Sequence, residues 1–367
     1  MKVTRVSLWH VPLTSHETYY MADGKTCDTI TSVVLRLETD KGMSGWGEVC
    51  PIPHYLPAYP EGVVPSVEYM APVLLGSDPV GPEAVMERLH RHLQGHWYAK
   101  SAVDMALWDL TAQVADLPLY ALLGGRQMTD MPLYHSLTCV APDEMARMAR
   151  EAYATGIRQF QVKLGADANW QADVARLTMV REAVGEGPLV YGDWNCGSDA
   201  LTAIRVARAV AHLDVMLEQP CATIEECAHV ARSTGMPMKL DESALDIETV
   251  LEGHRAGCMQ AAALKLSKMG GLSRMRQIRD LCLTLGTKMC VEDTWGSDIT
   301  TACSLHLAAS TPARGLLNTC DLSHYVAPRL DPGIPERRNG RIAPPEGSGL
   351  GVNPDPERFG PPVAIID

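Results

Sequence analysis

The sequence predicts an α/β protein in which a closed barrel of parallel strands follows a separate α+β domain. Three observations predict it. The chain has 367 residues, too many for one ordinary domain and enough for an α/β barrel with a smaller companion. Its first third runs strands then helices, whereas the remainder alternates short strands with helices. No G-x-G-x-x-G opens a helix after a strand, which disfavours the alternative of an open doubly wound sheet.

The first stretch reads as strand and hairpin. Ser32–Thr39 alternates, Asp40–Gly42 supplies turn chemistry, and Met43–Val49 returns. Amphipathic spacing predicts helices over Val64–Leu75, Pro82–Leu93 and Ala99–Val114, the last with an apolar face of Val103, Ala106, Leu107, Leu110 and Val114. This domain spans residues 1–125 and closes at Leu123-Gly124-Gly125-Arg126. Residues 126–325 carry eight strand candidates: Leu133–Thr138, Phe160–Leu164, Leu189–Asp193, Val215–Gln219, Met238–Asp241, Ala261–Leu266, Lys288–Glu292 and Gly315–Asn318. Between them lie helices such as Pro142–Ala154, Ser198–His212 (with Ser198 as N-cap), Glu225–Ser233 and Ser273–Leu285. The Pro- and Gly-rich tail 326–367 is expected to pack back against the first domain. Gly347–Gly351 within it is coil, not a nucleotide loop.

Hydrophobic residues make up 46% of the chain, so a large core is possible. Aromatics are only 5%, with two Phe, which leaves aliphatic side chains and Met to fill it. A formal net charge of −12 argues against nucleic acid or an anionic membrane as partner. An anionic small molecule remains admissible, because a bound divalent cation reverses the local field. No segment approaches the roughly 18 uninterrupted apolar residues of a membrane helix, and the N-terminal segment lacks the apolar region and cleavage site of a signal peptide. The eleven Cys have no C-x-x-C spacing and read as buried free thiols in a reducing, cytoplasmic setting.

Catalytic groups of such barrels sit at the C-terminal ends of the strands. The last polar residues of strands two to six are Lys163, Asp193, Glu218, Asp241 and Lys265, with gaps of 30, 25, 23 and 24 residues, one strand–helix repeat each. One charged residue ending a strand is commonplace and mostly structural. Five in succession, acids flanked by lysines, converge on one mouth, where each must be paired or bind metal. Three carboxylates supply hard oxygen ligands suited to Mg2+, with Mn2+ as a substitute; zinc would call for His or Cys, and none stands at those strand ends. A lysine amine, with an ordinary pKa of about 10.4, is a poor base at neutral pH unless a nearby cation and burial lower it. The metal in turn stabilises the enediolate formed when the carbon next to a carboxylate loses its proton. One base on each face of that carbon allows removal on one side and return on the other, or elimination of a β-substituent.

With Gln161-Val162-Lys163, Asp193-Trp194-Asn195, Glu218-Gln219-Pro220, Asp241-Glu242-Ser243 and Lys265-Leu266-Ser267-Lys268-Met269-Gly270-Gly271 in this order, the chain resembles the enolase superfamily. Within it the likeness is to the muconate-lactonizing branch of the mandelate racemase-like enzymes. The resemblance covers the whole chain and implies a modified TIM barrel, (β/α)7β, with an N-terminal α+β capping domain completed by the tail. It implies Lys163 and Lys265 as the acid/base pair, Asp193, Glu218 and Asp241 as Mg2+ ligands, and a small-molecule carboxylate substrate. Asn195 is implied as a contact to the metal shell or the substrate carboxylate, and the assembly as a homo-oligomer; Lys268 falls outside the inward position in the strand alternation and is expected on the surface. One departure stands out. The branch often has Lys-x-Lys on strand two, whereas Gln161 occupies the first position here, leaving it free to hydrogen-bond substrate.

In this family, specificity resides in capping-domain loops, here 14–26 and 50–59, and in the ends of strands seven and eight, here Val291–Gly296 and Asn318–Ser323. Dipeptide epimerases usually carry Asp-x-Asp at strand eight; Asp321-Leu322-Ser323 speaks against a dipeptide. The segments Tyr55–Tyr59, Glu218–Cys221 and Glu292–Gly296 look like those of enzymes acting on proline derivatives, the cis-3-hydroxyproline dehydratases and hydroxyproline betaine epimerases. A betaine needs an aromatic cage. Tyr55 and Trp295 offer rings, but Cys320 stands where the betaine enzymes carry an aromatic. Glu292 and Asp293 suit an ordinary secondary ammonium instead. The expected substrate-binding set is therefore Gln161, Asn195, Tyr55, Asp293, Trp295 and Asp321. The expected reaction is dehydration of cis-3-hydroxy-L-proline or a similar cyclic imino acid. The alternatives are 2-epimerisation or racemisation of proline-type acids or betaines, muconate-type cycloisomerisation, and a non-catalytic member, against which the lysine pair and carboxylate triad speak.

Overall fold

The computed structural model describes residues 1–54 and 56–367. The alternation in the first fifty residues builds an antiparallel sheet of β1 (Val3–Tyr20), β2 (Thr26–Thr39) and β3 (Ser44–Val49). Helices α1 (Pro60–Leu74), α2 (Pro82–His92) and α3 (Trp97–Val114) follow, α3 packing on β3. Glycines on β3 permit that approach: a Cβ on Gly47 would sit 1.9 Å from the Ala102 carbonyl oxygen, and one on Gly45 2.3 Å from that of Ala106. The segment 14–26, read as a loop, is strand up to Tyr20 and turns only around Ala22–Gly24.

Beyond the short α4 (Leu119–Leu122) and β4 (Met131–Pro132), the alternation expected of a barrel is realised. Strands β5 (His135–Leu137), β6 (Gln159–Lys163), β7 (Leu189–Asp193), β8 (Val215–Glu218), β9 (Met238–Leu240), β10 (Ala261–Lys265), β11 (Lys288–Glu292) and β12 (Leu316–Thr319) lie parallel in sequential order. The helices between them are α5 (Pro142–Ala154), α6 (Trp170–Val184), α7 (Ala200–Ala209), α8 (Ile224–Thr234), α9 (Ile247–Arg255), the single turn α10 (Leu266–Met269), α11 (Leu272–Leu285) and α12 (Asp298–Ala309). Leu133 bridges Thr319 in parallel and Tyr134 N–H donates to the Thr319 carbonyl at 3.3 Å, so the curled sheet meets itself. A small inner core of Tyr134, Tyr191, Met216, Ala261, Cys290 and Cys320 fills the space inside the strands, apart from the main core between sheet and helices. Helix α7 starts one residue later than expected: Asp199, not Ser198, is its N-cap, its carboxylate accepting from Thr202 N at 2.9 Å.

Two buried acids of the first domain cap helices of the second. Glu48 on β3 accepts from the main-chain N–H and hydroxyl of both Ser297 and Thr300 at the start of α12, over 2.7–3.1 Å. Asp104 on α3 accepts from Ser273 N at 2.7 Å and Ser273 Oγ at 2.6 Å at the start of α11. These carboxylates answer N–H groups that a helix leaves without partners in its first turn. The tail returns to β1, through β13 (Val326–Ala327) against Thr14–Ser15 and, after β14 (Arg341–Ile342) pairs β4, through β15 (Ala364–Ile366) against Val6–Leu8. No helix among the described residues is long and apolar enough to cross a membrane. All eleven Cys are free, and ten of them are buried.

Candidate active site

The parallel register brings the five charged strand ends together. Lys163, Asp193, Glu218 and Lys265 close β6, β7, β8 and β10, and Asp241 follows β9 directly. All five are buried. Lys163 Nζ donates to Asp193 Oδ2 at 2.5 Å and to Asn195 Oδ1 at 3.0 Å. On the other side Lys265 Nζ donates to Asp241 Oδ2 at 2.5 Å. Gln161 Nε2 donates to Asp193 Oδ2 at 3.0 Å and to Glu218 Oε2 at 2.8 Å, bridging two carboxylates. Asn195, held at a φ of 44°, uses its amide on Asp193 and Glu242, both at 3.1 Å, so it braces the lysine and its carboxylate.

Two further lysines belong to this network. Lys268 was expected on the surface, but α10 turns it inward, to 5% exposure, and its Nζ reaches Asp241 Oδ1 at 2.7 Å. A turn of helix directly after β10 breaks the strand alternation on which that expectation rested. Lys239 lies one pleat below Asp241, fully buried, 2.9 Å from Glu218 Oε1 and 4.8 Å from the centre of the Tyr191 ring. Its contact with Glu218 is ionic but off the hydrogen-bond direction, for Glu218 Oε1 has no donor. Period two along β9, which puts residues 239 and 241 on one face, was the signal for it.

These surroundings set the protonation of the site. Burial lowers the pKa of Lys163, but Asp193 and Glu218 more than offset it and the net shift is upward. Lys265 is likewise pulled down by burial and carried well above its ordinary value by Asp241, Glu292 and Glu242. Burial, with Asp193 and Asp241 adding to it, pushes the Glu218 carboxyl up to about 8 against the opposing pull of Lys239. Burial also raises Asp241, yet Lys265, Lys268 and Lys239 win and hold its carboxyl well below the usual range. The amines are therefore not lowered by the protein alone, as burial by itself would have it.

The donor set fits a hard divalent cation. Asp193, Glu218 and Asp241 offer only oxygens, and one of these, Glu218 Oε1, is buried without a hydrogen-bond donor. Four buried lysines, at 163, 239, 265 and 268, face five buried carboxylates, at 193, 218, 241, 292 and 293, and half-buried Glu242. Carboxylates thus outnumber lysines in the network, which leaves it short of positive charge. Among the described residues no three ligating groups already close on one point. The lysine amines hold the carboxylate oxygens where a cation would take them.

Lys163 and Lys265 open into one cavity, walled by Tyr19, Tyr134, Trp295 and Tyr325 and lined also by Gln161, Glu292 and Asp293. Tyr19 and Trp295 meet edge to face, their centroids 5.9 Å apart. Asp293 lines this wall, but its carboxylate already accepts from Ser267 N, Ser267 Oγ and Thr294 N, so it secures the chain after Lys265. Glu292 is the more available acid, receiving one hydrogen bond, from the Tyr134 hydroxyl. Asp321 does not line the cavity: Arg337 grips it with two bonds, at 2.8 and 2.6 Å, and ties the tail to the barrel rim. Tyr55 lies outside the described residues. Tyr19, Ser136, Tyr134 and Lys239 were not read from the sequence; only Tyr19 fell within a segment expected to set specificity.

This geometry, in this order of strands, defines a protein class. Residues 3–124 match the family described as mandelate racemase / muconate lactonizing enzyme, N-terminal domain, and residues 144–358 match enolase C-terminal domain-like proteins. The chain belongs to the enolase superfamily, whose fold is a modified TIM barrel with an N-terminal α+β domain. It is 38% identical, over 99% of both chains, to cis-3-hydroxy-L-proline dehydratase of Roseibium aggregatum. It is 26% identical to N-succinyl-L-Arg/Lys racemase of Bacillus cereus, over 84% of this chain and 85% of the other. Among solved structures, a member of the enolase superfamily from Roseovarius nubinhibens ISM, complexed with magnesium, superposes with a TM-score of 0.94 at 37% identity, covering 100% of this chain and 99% of the other.

Proposed function

We propose that the protein is a Mg2+-dependent dehydratase of cis-3-hydroxy-L-proline or a closely similar cyclic β-hydroxy imino acid. The observation that carries this reading is the placement of two buried lysines, Lys163 and Lys265, on opposite sides of one cavity whose wall also offers Glu292. Likeness to the Roseibium dehydratase over the full chain supports the substrate class.

Asp193, Glu218 and Asp241 would hold the cation. Bound there, it supplies the positive charge that a substrate carboxylate needs when its α-carbon is deprotonated. With those carboxylates so engaged, Lys163 or Lys265 would be left with a free amine to act as base. One lysine then takes the α-proton on its Nζ while the Cα–H electron pair moves toward the substrate carboxylate. The lysine on the other side, as an ammonium, gives a proton to the β-hydroxyl; the Cβ–O bond breaks, water leaves and a Cα–Cβ double bond forms. Glu292, oriented by the Tyr134 hydroxyl, pairs with the ring ammonium. The rings of Tyr19 and Trp295 exclude water from the apolar side of the substrate.

The test is to incubate the protein with Mg2+ in D2O alongside cis-3-hydroxy-L-proline and to follow proton NMR and product mass. Loss of the Cα proton with a product lighter by one water is the expected result. Exchange at Cα without loss of water would replace dehydration by epimerisation, which two bases on opposite faces also permit. No exchange, in protein shown to bind Mg2+, would reject the proline-type substrate.

A further inference from the structure

A chain of hydrogen bonds runs from the capping domain to the carboxylates at the barrel mouth. The Tyr19 hydroxyl, at the end of β1, donates to Ser136 Oγ on β5. Ser136 Oγ in turn donates to Gln161 Oε1 on β6 at 2.5 Å. The amide's other end, Nε2, donates to Asp193 Oδ2 and Glu218 Oε2. Tyr19, Ser136 and Gln161 are all buried, at the wall of the cavity.

The direction of each bond follows from counting protons. A serine hydroxyl has one hydrogen, and here it is spent on Gln161, so Tyr19 must be the donor to Ser136. With its oxygen held by Ser136, Gln161 can present only its NH2 group to the two acids. A flipped amide would set its oxygen against two carboxylates and leave Ser136 without an acceptor. The end of β1 is itself fixed to the barrel, because Tyr20 N donates to Thr138 Oγ1 at 2.6 Å and Cys139 N donates to the Tyr20 carbonyl at 3.0 Å.

We propose that Tyr19 is a positioning residue for the divalent-cation site: acting through Ser136 and Gln161, it aims the carboxylates of Asp193 and Glu218 and makes metal affinity depend on the docked capping domain. The proposal rests on the reading that these acids hold Mg2+. Residues that orient ligands from behind typically alter metal affinity about 10- to 100-fold.

The test is calorimetric titration of the full chain with Mg2+ alone, without substrate, for wild type, Tyr19→Phe, Ser136→Ala, Gln161→Leu and the double variant Tyr19→Phe/Gln161→Leu. Gln161→Leu is expected to weaken Mg2+ by about 10- to 100-fold, with Tyr19→Phe and Ser136→Ala each weakening it in the same direction by up to about 10-fold. In the Gln161→Leu background, Tyr19→Phe should add nothing further. Wild-type affinity in Tyr19→Phe, or losses that multiply in the double variant, would overturn the relay while leaving the proposed function in place. A lower melting temperature with Mg2+ affinity unmoved would reduce Tyr19 to packing. Failure of the wild type to bind Mg2+ would overturn both.

Discussion

The barrel mouth and the seam between the domains are both built from buried carboxylates, and they treat them in opposite ways. At the seam, Glu48 and Asp104 meet only neutral donors: main-chain N–H groups and hydroxyls at the starts of α12 and α11, with the Ser32 hydroxyl and the Cys50 thiol also on Glu48. The main-chain donors there have a fixed direction and the arrangement is closed. At the mouth, Asp193, Glu218 and Asp241 meet lysines, share donors, and leave Glu218 Oε1 without a hydrogen bond. Burying an acid among fixed dipoles makes a joint. Burying it among mobile ammoniums, in a cavity short of positive charge, makes a site that a cation completes and that stores the cost of its own assembly.

The comparison breaks most sharply at the lysines. Lys163→Ala and Lys265→Ala should each lower turnover by about 100- to 10,000-fold, with the fold and Mg2+ binding retained. Near-normal turnover in either variant, measured on the substrate that shows Cα exchange, would remove that lysine from the chemistry. Glu292→Gln should act next. It keeps an acceptor for the Tyr134 hydroxyl but removes the charge, and kcat/KM for a proline-type substrate should fall about 10- to 100-fold, the worth of a charged hydrogen bond. An unchanged kcat/KM would place the substrate ammonium elsewhere.

At the seam the pattern should reverse. Glu48→Ala strips the acceptor from Ser297 and Thr300 and should cost about 3 kcal/mol of stability, read by denaturant unfolding. Activity of the folded fraction should change much less than in the lysine variants; a loss of turnover without a loss of stability would place Glu48 in the chemistry instead of the joint. The remaining prediction concerns pH. Burial pushes the Asp104 carboxyl from 3.8 up to about 7, despite the bonds from Ser273. The folded state therefore keeps this proton while the unfolded state loses it. Stability should decline as pH rises from about 4 to about 7, by at most about 1.4 kcal/mol per pH unit from this group. Asp104→Asn, which mimics the protonated acid, should flatten that stretch of the curve.

Much of this was legible in the sequence, and the reasons divide by range. Strand alternation and the repeat length locate β6 to β11 within a residue or so, because short buried strands and their turns are local patterns. Lys163, Asp193, Glu218, Asp241 and Lys265 follow, since a charge at the end of an apolar strand is conspicuous. Helices α6 and α12 are not among those read. Helix α6 buries Asp173, Arg176 and Arg181, satisfied by one another and by main-chain carbonyls, which blurs its stripe. Helix α12 is buried all round and has no polar face. Lys268 was misplaced because α10 interrupts the alternation, and Asp321 because its true partner, Arg337, lies in a tail without periodicity. The relay from Tyr19 to Ser136 joins residues 117 positions apart, and no local pattern announces such a pair.

The pairing of β15 with β1 sets a condition on how the molecule is made. Val6–Leu8 leave the ribosome early, yet the strand that covers this side of them, Ala364–Ile366, is synthesised nearly a whole chain length later. Until then the nascent capping sheet carries a bare edge, the kind of surface that pairs with other chains. Completion of the first domain thus waits on translation of the tail, and a ribosome stalled before residue 364 would hold a sheet ready for the wrong partner.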